Sequence, residues 1–88
     1  MKTQNNVIVV VDNGFVFWGD FAVDGNSCEI TNGYNLRRYG TERGLGQLAI
    51  EGPQKETQAD KVTLIRVQKN RIVFVMECSD AMLKLRNK

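Results

Sequence analysis

Apolar residues in this chain fall mostly in short β-branched runs, and at one stretch their spacing becomes helical. Residues 7–12 (VIVVVD) have the composition of a strand. Asn13-Gly14 follows, the pair a type I′ hairpin prefers because both central residues take positive φ. Residues 15–23 (FVFWGDFAV) read as the returning strand. Alternation puts Phe15, Phe17, Gly19, Phe21 and Val23 on one face, and Val16, Trp18, Asp20 and Ala22 on the other. The phenylalanine face is the better core candidate, which leaves Trp18 half-covered. Gly19 in mid-strand marks a bulge or a close backbone approach. Residues 24–27 (DGNS) form a second turn, and residues 28–31 (CEIT) a short third strand that completes a meander.

The pattern changes in residues 32–53 (NGYNLRRYGTERGLGQLAIEGP). Asn32-Gly33 turns the chain, and residues 34–39 (YNLRRY) extend as a further strand-like segment. Leu45, Leu48 and Ala49 then share one helical face, and Gly52 followed by Pro53 is a helix stop. A helix of about two turns is unstable alone in water, so it must pack Leu45 and Leu48 onto the sheet. Residues 54–60 (QKETQAD) read as an exposed loop. Residues 61–68 (KVTLIRVQ) and 71–78 (RIVFVMEC) read as two strands turned back on each other at Lys69-Asn70. In the last strand Ile72, Phe74, Met76 and Cys78 fall on one face, Val73 and Val75 on the other. Ser79-Asp80 is a candidate N-cap for a short helix over 81–87 with Met82 and Leu85 inward, a β continuation being the alternative. Residues 1–6 are expected to be loosely attached.

These elements predict an α+β fold: a small, strongly curved antiparallel sheet or barrel of five to six strands, with one short interior helix closing one end and a second short helix at the C-terminus. Eighty-eight residues make one domain, 1–88. Val16, Trp18, Ile65, Val67, Val73 and Val75 are more apolar surface than one short helix can cover. Left open on a monomer they would form an interface, so homo-oligomerisation is expected, with coverage by the C-terminal segment as the alternative.

Chemistry narrows the function classes. The chain has no histidine, so the usual general base is missing, and its carboxylates have no paired spacing. Cys28 and Cys78 have no CxxC spacing and no histidine partner, which argues against both a structural zinc site and a Cys-His nucleophile. A Cys28–Cys78 disulfide competes with the reading of two buried thiols. An enzyme is therefore not expected, nor a metal or cofactor. No apolar run approaches a bilayer span or a signal-peptide core, so the expected location is the cytoplasm, away from membranes.

The net charge of +2 conceals an asymmetry. Residues 1–30 set Lys2 against Asp12, Asp20, Asp24 and Glu29, while residues 53–88 set eight Lys and Arg against four Asp and Glu. That balance permits an anionic ligand but is too small for a strongly basic nucleic-acid binder. The concentrated feature is the run Arg37, Arg38, Tyr39 and Arg43, the candidate ligand-binding residues. Arginine takes phosphate bidentately and tyrosine offers a stacking face. Tyr34 can add a second ring, and the glycine approach at Gly44 and Leu45 can add N–H donors. The structural alternative pairs Arg37 or Arg38 with Glu42 or Glu51 and packs Tyr39 on the core.

The VIV strand, the GFVFWG segment, Arg37-Arg38-Tyr39 and GLGQLAIEG together resemble a family of small phage and prophage proteins known as a domain of unknown function. In that family an Arg-Arg-aromatic run precedes a Ser-Leu-Ser-Gln-Leu-Ala helix. The resemblance runs in order over residues 7–52. It departs at Gly44-Leu45-Gly46, where the family has serines, and at Tyr39, where it has an aromatic pair. It implies a viral or mobile-element origin and no activity. The expectation is a non-enzymatic phage-type accessory protein that binds a host protein or a small phosphate-bearing ligand such as a nucleotide. The alternatives are nucleic-acid binding through Lys61, Arg66, Lys69 and Arg71, and a structural role in virion assembly.

Overall fold

The computed structural model describes residues 2–87. It is an α+β fold with a six-stranded antiparallel sheet and one main helix. The strands are β1 (Lys2–Val11), β2 (Val16–Asp24), β3 (Ser27–Arg38), β4 (Gln58–Lys61), β5 (Leu64–Gln68) and β6 (Ile72–Glu77), with α1 (Gly44–Glu51) between β3 and β4. The sheet order is β4-β3-β2-β1-β6, and β5 pairs with the other half of the β3 edge.

The first hairpin forms as its sequence dictates: Asn13 and Gly14 both have positive φ, 72° and 85°. The N-terminal segment departs from expectation. Met1 lies outside the described residues, but β1 begins at Lys2 and pairs along β2 as far as Val23. Residues 54–60 are likewise not all loop, because β4 starts at Gln58.

The expected hairpin around Lys69-Asn70 does not form. β5 and β6 are joined only by the 3-10 turn Lys69–Arg71, yet they lie at opposite ends of the strand order. Such a short link can join the two edges only if the sheet curls until they approach. β6 then takes the free side of β1, with Val9 opposite Val75. No ladder joins β5 to β6, so the sheet is not closed.

Curling creates an inner core and an outer one. Val7, Val9, Val11, Phe21, Cys28 and Ile30 pack inside the curl, with Ile65, Val67, Ile72 and Val75 against them. Ile8, Val16, Trp18 and Leu36 face outward and are covered by Leu48 and Ala49 of α1 and by Met82 and Leu85 of a C-terminal 3-10 helix, Asp80–Asn87. The helix therefore lies across the outer face instead of closing an end. Trp18 is 0% exposed, not half-covered. The six residues expected to share one open face do not share it: Val16 and Trp18 lie in the outer core with Leu48, Ala49, Met82 and Leu85, Ile65, Val67 and Val75 pack against the inner core, and Val73 is exposed. Cys28 belongs to the inner core and Cys78 to the outer one, and both are free thiols.

Among the described residues the register shifts at four places, one of them at Arg37 between β3 and β4, and the other three decide which residue faces which core. At Asn5 and Asn6, at Asn32 and Gly33, and at Ile72 and Val73 the register shifts by one residue, which reverses the alternation. Asn6 and Asn32 adopt left-handed φ, a conformation asparagine tolerates better than most residues. Asn32 and Gly33 are thus a bulge within one long strand, where a turn was expected. Gly19 lies opposite. A Cβ there would sit 2.8 Å from the Thr31 carbonyl oxygen, so the approach demands glycine.

The helix end is tied down by backbone. Gly52 has φ 84° and ψ −177°, a region open essentially to glycine alone, and its N–H donates to the Leu48 carbonyl. Ser79 satisfies two further carbonyls of the last turn, through its N–H to Ala49 (2.8 Å) and its hydroxyl to Ile50 (2.5 Å).

Candidate functional site

The four residues singled out in the connector do not converge. Arg37 sits where the β3–β4 register shifts, exposed, with its Nε 2.5 Å from Asp60 Oδ2. Arg38, the next residue, is exposed and has no ion pair among the described residues. Tyr39 packs against the outer core, and its carbonyl accepts from the buried Thr57 hydroxyl at 2.7 Å. Arg43 precedes α1 and reaches along it, Nη2 to Glu51 Oε2 at 2.6 Å. The glycine approach to α1 is partly filled by Gln47, whose Oε1 accepts from the N–H groups of Glu42 (3.1 Å) and Arg43 (2.9 Å).

A different aromatic-basic constellation does form. Two hollows of about 270 Å³ each lie side by side between the β3–β4 pair and the C-terminal 3-10 helix. Asn32, Tyr34, Lys61 and Arg86 line one; Tyr34, Arg37, Thr57, Gln58, Ala59 and Leu85 line the other. Tyr34 borders both. It reaches the outer face because the bulge at Asn32 and Gly33 flips the strand, and it packs on Trp18 with ring centroids 5.3 Å apart. Arg86 also lies over the tryptophan, its guanidinium carbon 5.1 Å from the ring centroid, with Nη2 3.5 Å from Asp20 Oδ1. Trp18 is held in turn by a 2.9 Å hydrogen bond from its Nε1 to Asn6 Oδ1.

Charged, polar and apolar side chains share the lining of the two hollows. Lys61 is exposed and has no ion pair among the described residues, so its ammonium is available to an anion. Arg37 and Arg86 each have one carboxylate: the Arg37–Asp60 pair is solvent-exposed, and the Asp20 partner of Arg86 is half-buried and also accepts from the Asn6 N–H and from Asn32 Nδ2. A larger hollow, about 760 Å³ and lined by Asn26, Ser27, Gln68, Lys69 and Asn70, has a single cation and no ring.

Of the four predicted residues, then, only Arg37 borders these hollows. Tyr34 and Lys61 carried weaker signals in the sequence. Arg86 carried none, because its place depends on how the C-terminal segment docks. Arg66 and Arg71, which with Lys61 and Lys69 suggested nucleic acid, are each held by a carboxylate, Glu29 and Asp12, both at 3.0 Å. Burial pushes the Cys28 thiol above its ordinary pKa, an effect Lys69 offsets only in part, and it pushes Cys78 up to about 11. Both thiols are therefore protonated, and poor nucleophiles, at neutral pH. Among the described residues no group of three or more Cys, Asp or Glu could hold a metal ion, and no helix is long and apolar enough to cross a membrane.

Comparison with known proteins adds no relative: no family model matches the chain, and neither curated proteins nor solved structures gave a match.

Proposed function

We propose that this is a non-enzymatic, phage-type accessory protein of the cytoplasm that acts by binding a small phosphate-bearing ligand in the groove around Tyr34. One observation carries the reading: cations from three separate elements, Arg37 on β3, Lys61 on β4 and Arg86 on the C-terminal 3-10 helix, border the two hollows that meet at one tyrosine. Arginine and lysine at such a rim supply charge-assisted hydrogen bonds to phosphate oxygens. The phage-type assignment rests on the resemblance over residues 7–52. In this reading the sheet works as a small barrel left open between β5 and β6, rigid enough to hold the groove's two walls in register.

Self-association is a second reading, now on a different surface. Val73 (60% exposed) and Phe74 (43% exposed) lie on β6, an edge strand whose outer side pairs with nothing described. Apolar residues on an open edge are a template for a second chain.

Native mass spectrometry of the full chain with added pyrophosphate tests both. The wild-type protein is expected to carry a pyrophosphate adduct that Lys61→Ala/Arg86→Ala loses and Arg38→Ala/Arg43→Ala keeps. Equal adducts in the wild type and Lys61→Ala/Arg86→Ala would refute the groove. Loss in Arg38→Ala/Arg43→Ala alone would return the site to the connector. A pure monomer at micromolar concentration would refute self-association.

A further inference from the structure

We infer that the ligand of the groove is a nucleoside phosphate, with its phosphate in the hollow of Lys61 and Arg86 and its base in the adjoining hollow beside Tyr34; this rests on the phosphate reading above. The two hollows differ in chemistry. The first sets Lys61 and Arg86 beside Asn32 and the shared tyrosine; Asn32 Nδ2 donates to Asp20 Oδ2 at 3.1 Å and Arg86 pairs with Asp20 Oδ1 at 3.5 Å, which leaves Lys61 as its cation without an ion pair among the described residues. Lys61 suits an anion there, and Arg86 adds to it by exchanging its carboxylate partner for the ligand.

The second hollow has what the first lacks. Its lining combines the Tyr34 ring with the apolar side chains of Ala59 and Leu85, both packed into the outer core, and with the exposed carboxamide of Gln58. A carboxamide presents a donor and an acceptor together, the pair that reads the edge of a base. Arg37 at the same hollow offers a second planar cation.

The order of the two hollows also matters. They adjoin at Tyr34, and Leu85 and Arg86, neighbours in the chain, each serve one of them. A ligand that fills both must be anionic at one end and flat and polar-edged at the other. Inorganic phosphate or a sugar phosphate would use the first hollow only. The rigidity of Tyr34 favours stacking, because Trp18 backs it and Arg86 and Asn6 hold Trp18 in place. Stacking of one base on an aromatic side chain corresponds to roughly tenfold to hundredfold in affinity.

The test is calorimetric titration of the full chain with adenosine monophosphate, uridine monophosphate, ribose 5-phosphate and inorganic phosphate. The nucleotides are expected to bind at least about tenfold more tightly than ribose 5-phosphate. Tyr34→Leu is expected to lower nucleotide affinity by a larger factor than ribose 5-phosphate affinity, so that the gap between them closes. Should Tyr34→Leu fail to fold, Gln58→Ala, at an exposed position, makes the same comparison and is expected to narrow the gap. Equal affinities for nucleotides and ribose 5-phosphate would overturn the base assignment and leave the phosphate reading standing. Binding of none of the four would overturn both.

Discussion

Leu48→Ala tests the claim that α1 is the cover of the outer face. Leu48 is 0% exposed and packs with Ile8, Val16, Trp18, Met82 and Leu85, all buried. Removing its branched end leaves a cavity bounded by a sheet on one side and a 3-10 helix on the other, neither free to collapse without losing its own contacts. Substitutions of this kind cost about 3–5 kcal/mol. A domain of this size has roughly 4–13 kcal/mol in all, so the variant loses a large share of its stability. At about 4–8 °C per kcal/mol, the melting midpoint falls by roughly 12 °C or more. Ile50, two residues on, is 70% exposed, and Ile50→Ala should change stability by no more than about 0.5 kcal/mol. The assay is urea unfolding followed by the emission of Trp18, the one tryptophan of the chain, which lies under the helix. Both variants should keep the wild-type slope. A Leu48→Ala cost below about 1 kcal/mol would refute the reasoning.

Other consequences follow from single positions. Gly46 lies in α1 with open space where a Cβ would go, so Gly46→Ala should stabilise the fold by about 0.5–1 kcal/mol in the same urea assay. At Gly52 a Cβ would meet the Ala81 carbonyl oxygen at 2.4 Å, at a φ of +84°, so Gly52→Ala should cost at least about 2 kcal/mol and loosen the C-terminal segment. Cys78 predicts an alkaline effect: burial raises its pKa from 9.0 to about 11, so the native state keeps a proton that the unfolded chain has lost. Its contribution to stability is complete below pH 9 and declines as pH rises toward 11; urea midpoints across that range should fall more steeply in the wild type than in Cys78→Ala.

Much of the architecture could be read from residue types, and what could not has identifiable causes. The Asn13-Gly14 hairpin, the extended run after Tyr34, the Gly52 stop and the inward Met82 and Leu85 each depend on local chemistry, and each stands in the structure. Strand faces were less legible. Alternation predicts a face only while the register holds, and three bulges break it. Ile72 and Val75 therefore share the inner core although they are three apart, while Phe74 faces outward opposite Val10. The partner of β6 was illegible for another reason. A short link normally means a hairpin, and only the curvature of the whole sheet delivers β6 to β1 instead. The arginine cluster at Arg37, Arg38 and Arg43 looked like one site because it is compact in sequence. In space a strand irregularity takes Arg37 to Asp60, α1 takes Arg43 to Glu51, and Arg38 is left exposed with no ion pair among the described residues.

The bulge at Asn32 and Gly33 connects fold to function. On its N-terminal side Cys28 and Ile30 of β3 face the inner core; on its C-terminal side Tyr34 and Leu36 face the outer one, although all four are even-numbered. The neighbouring edge breaks at the same level, between β4 and β5, where the Val62 N–H donates to the Gly33 carbonyl at 2.8 Å. Without the extra residue Tyr34 would point into the curl, Trp18 would lose its ring partner, and Lys61 and Arg86 would flank no aromatic surface. The left-handed Asn32 that makes this flip also lines the cationic hollow. One irregularity thus assigns half a strand to each core and places the tyrosine between the three cations. A chain that kept its arginines but lost the bulge would keep its charge and lose the groove.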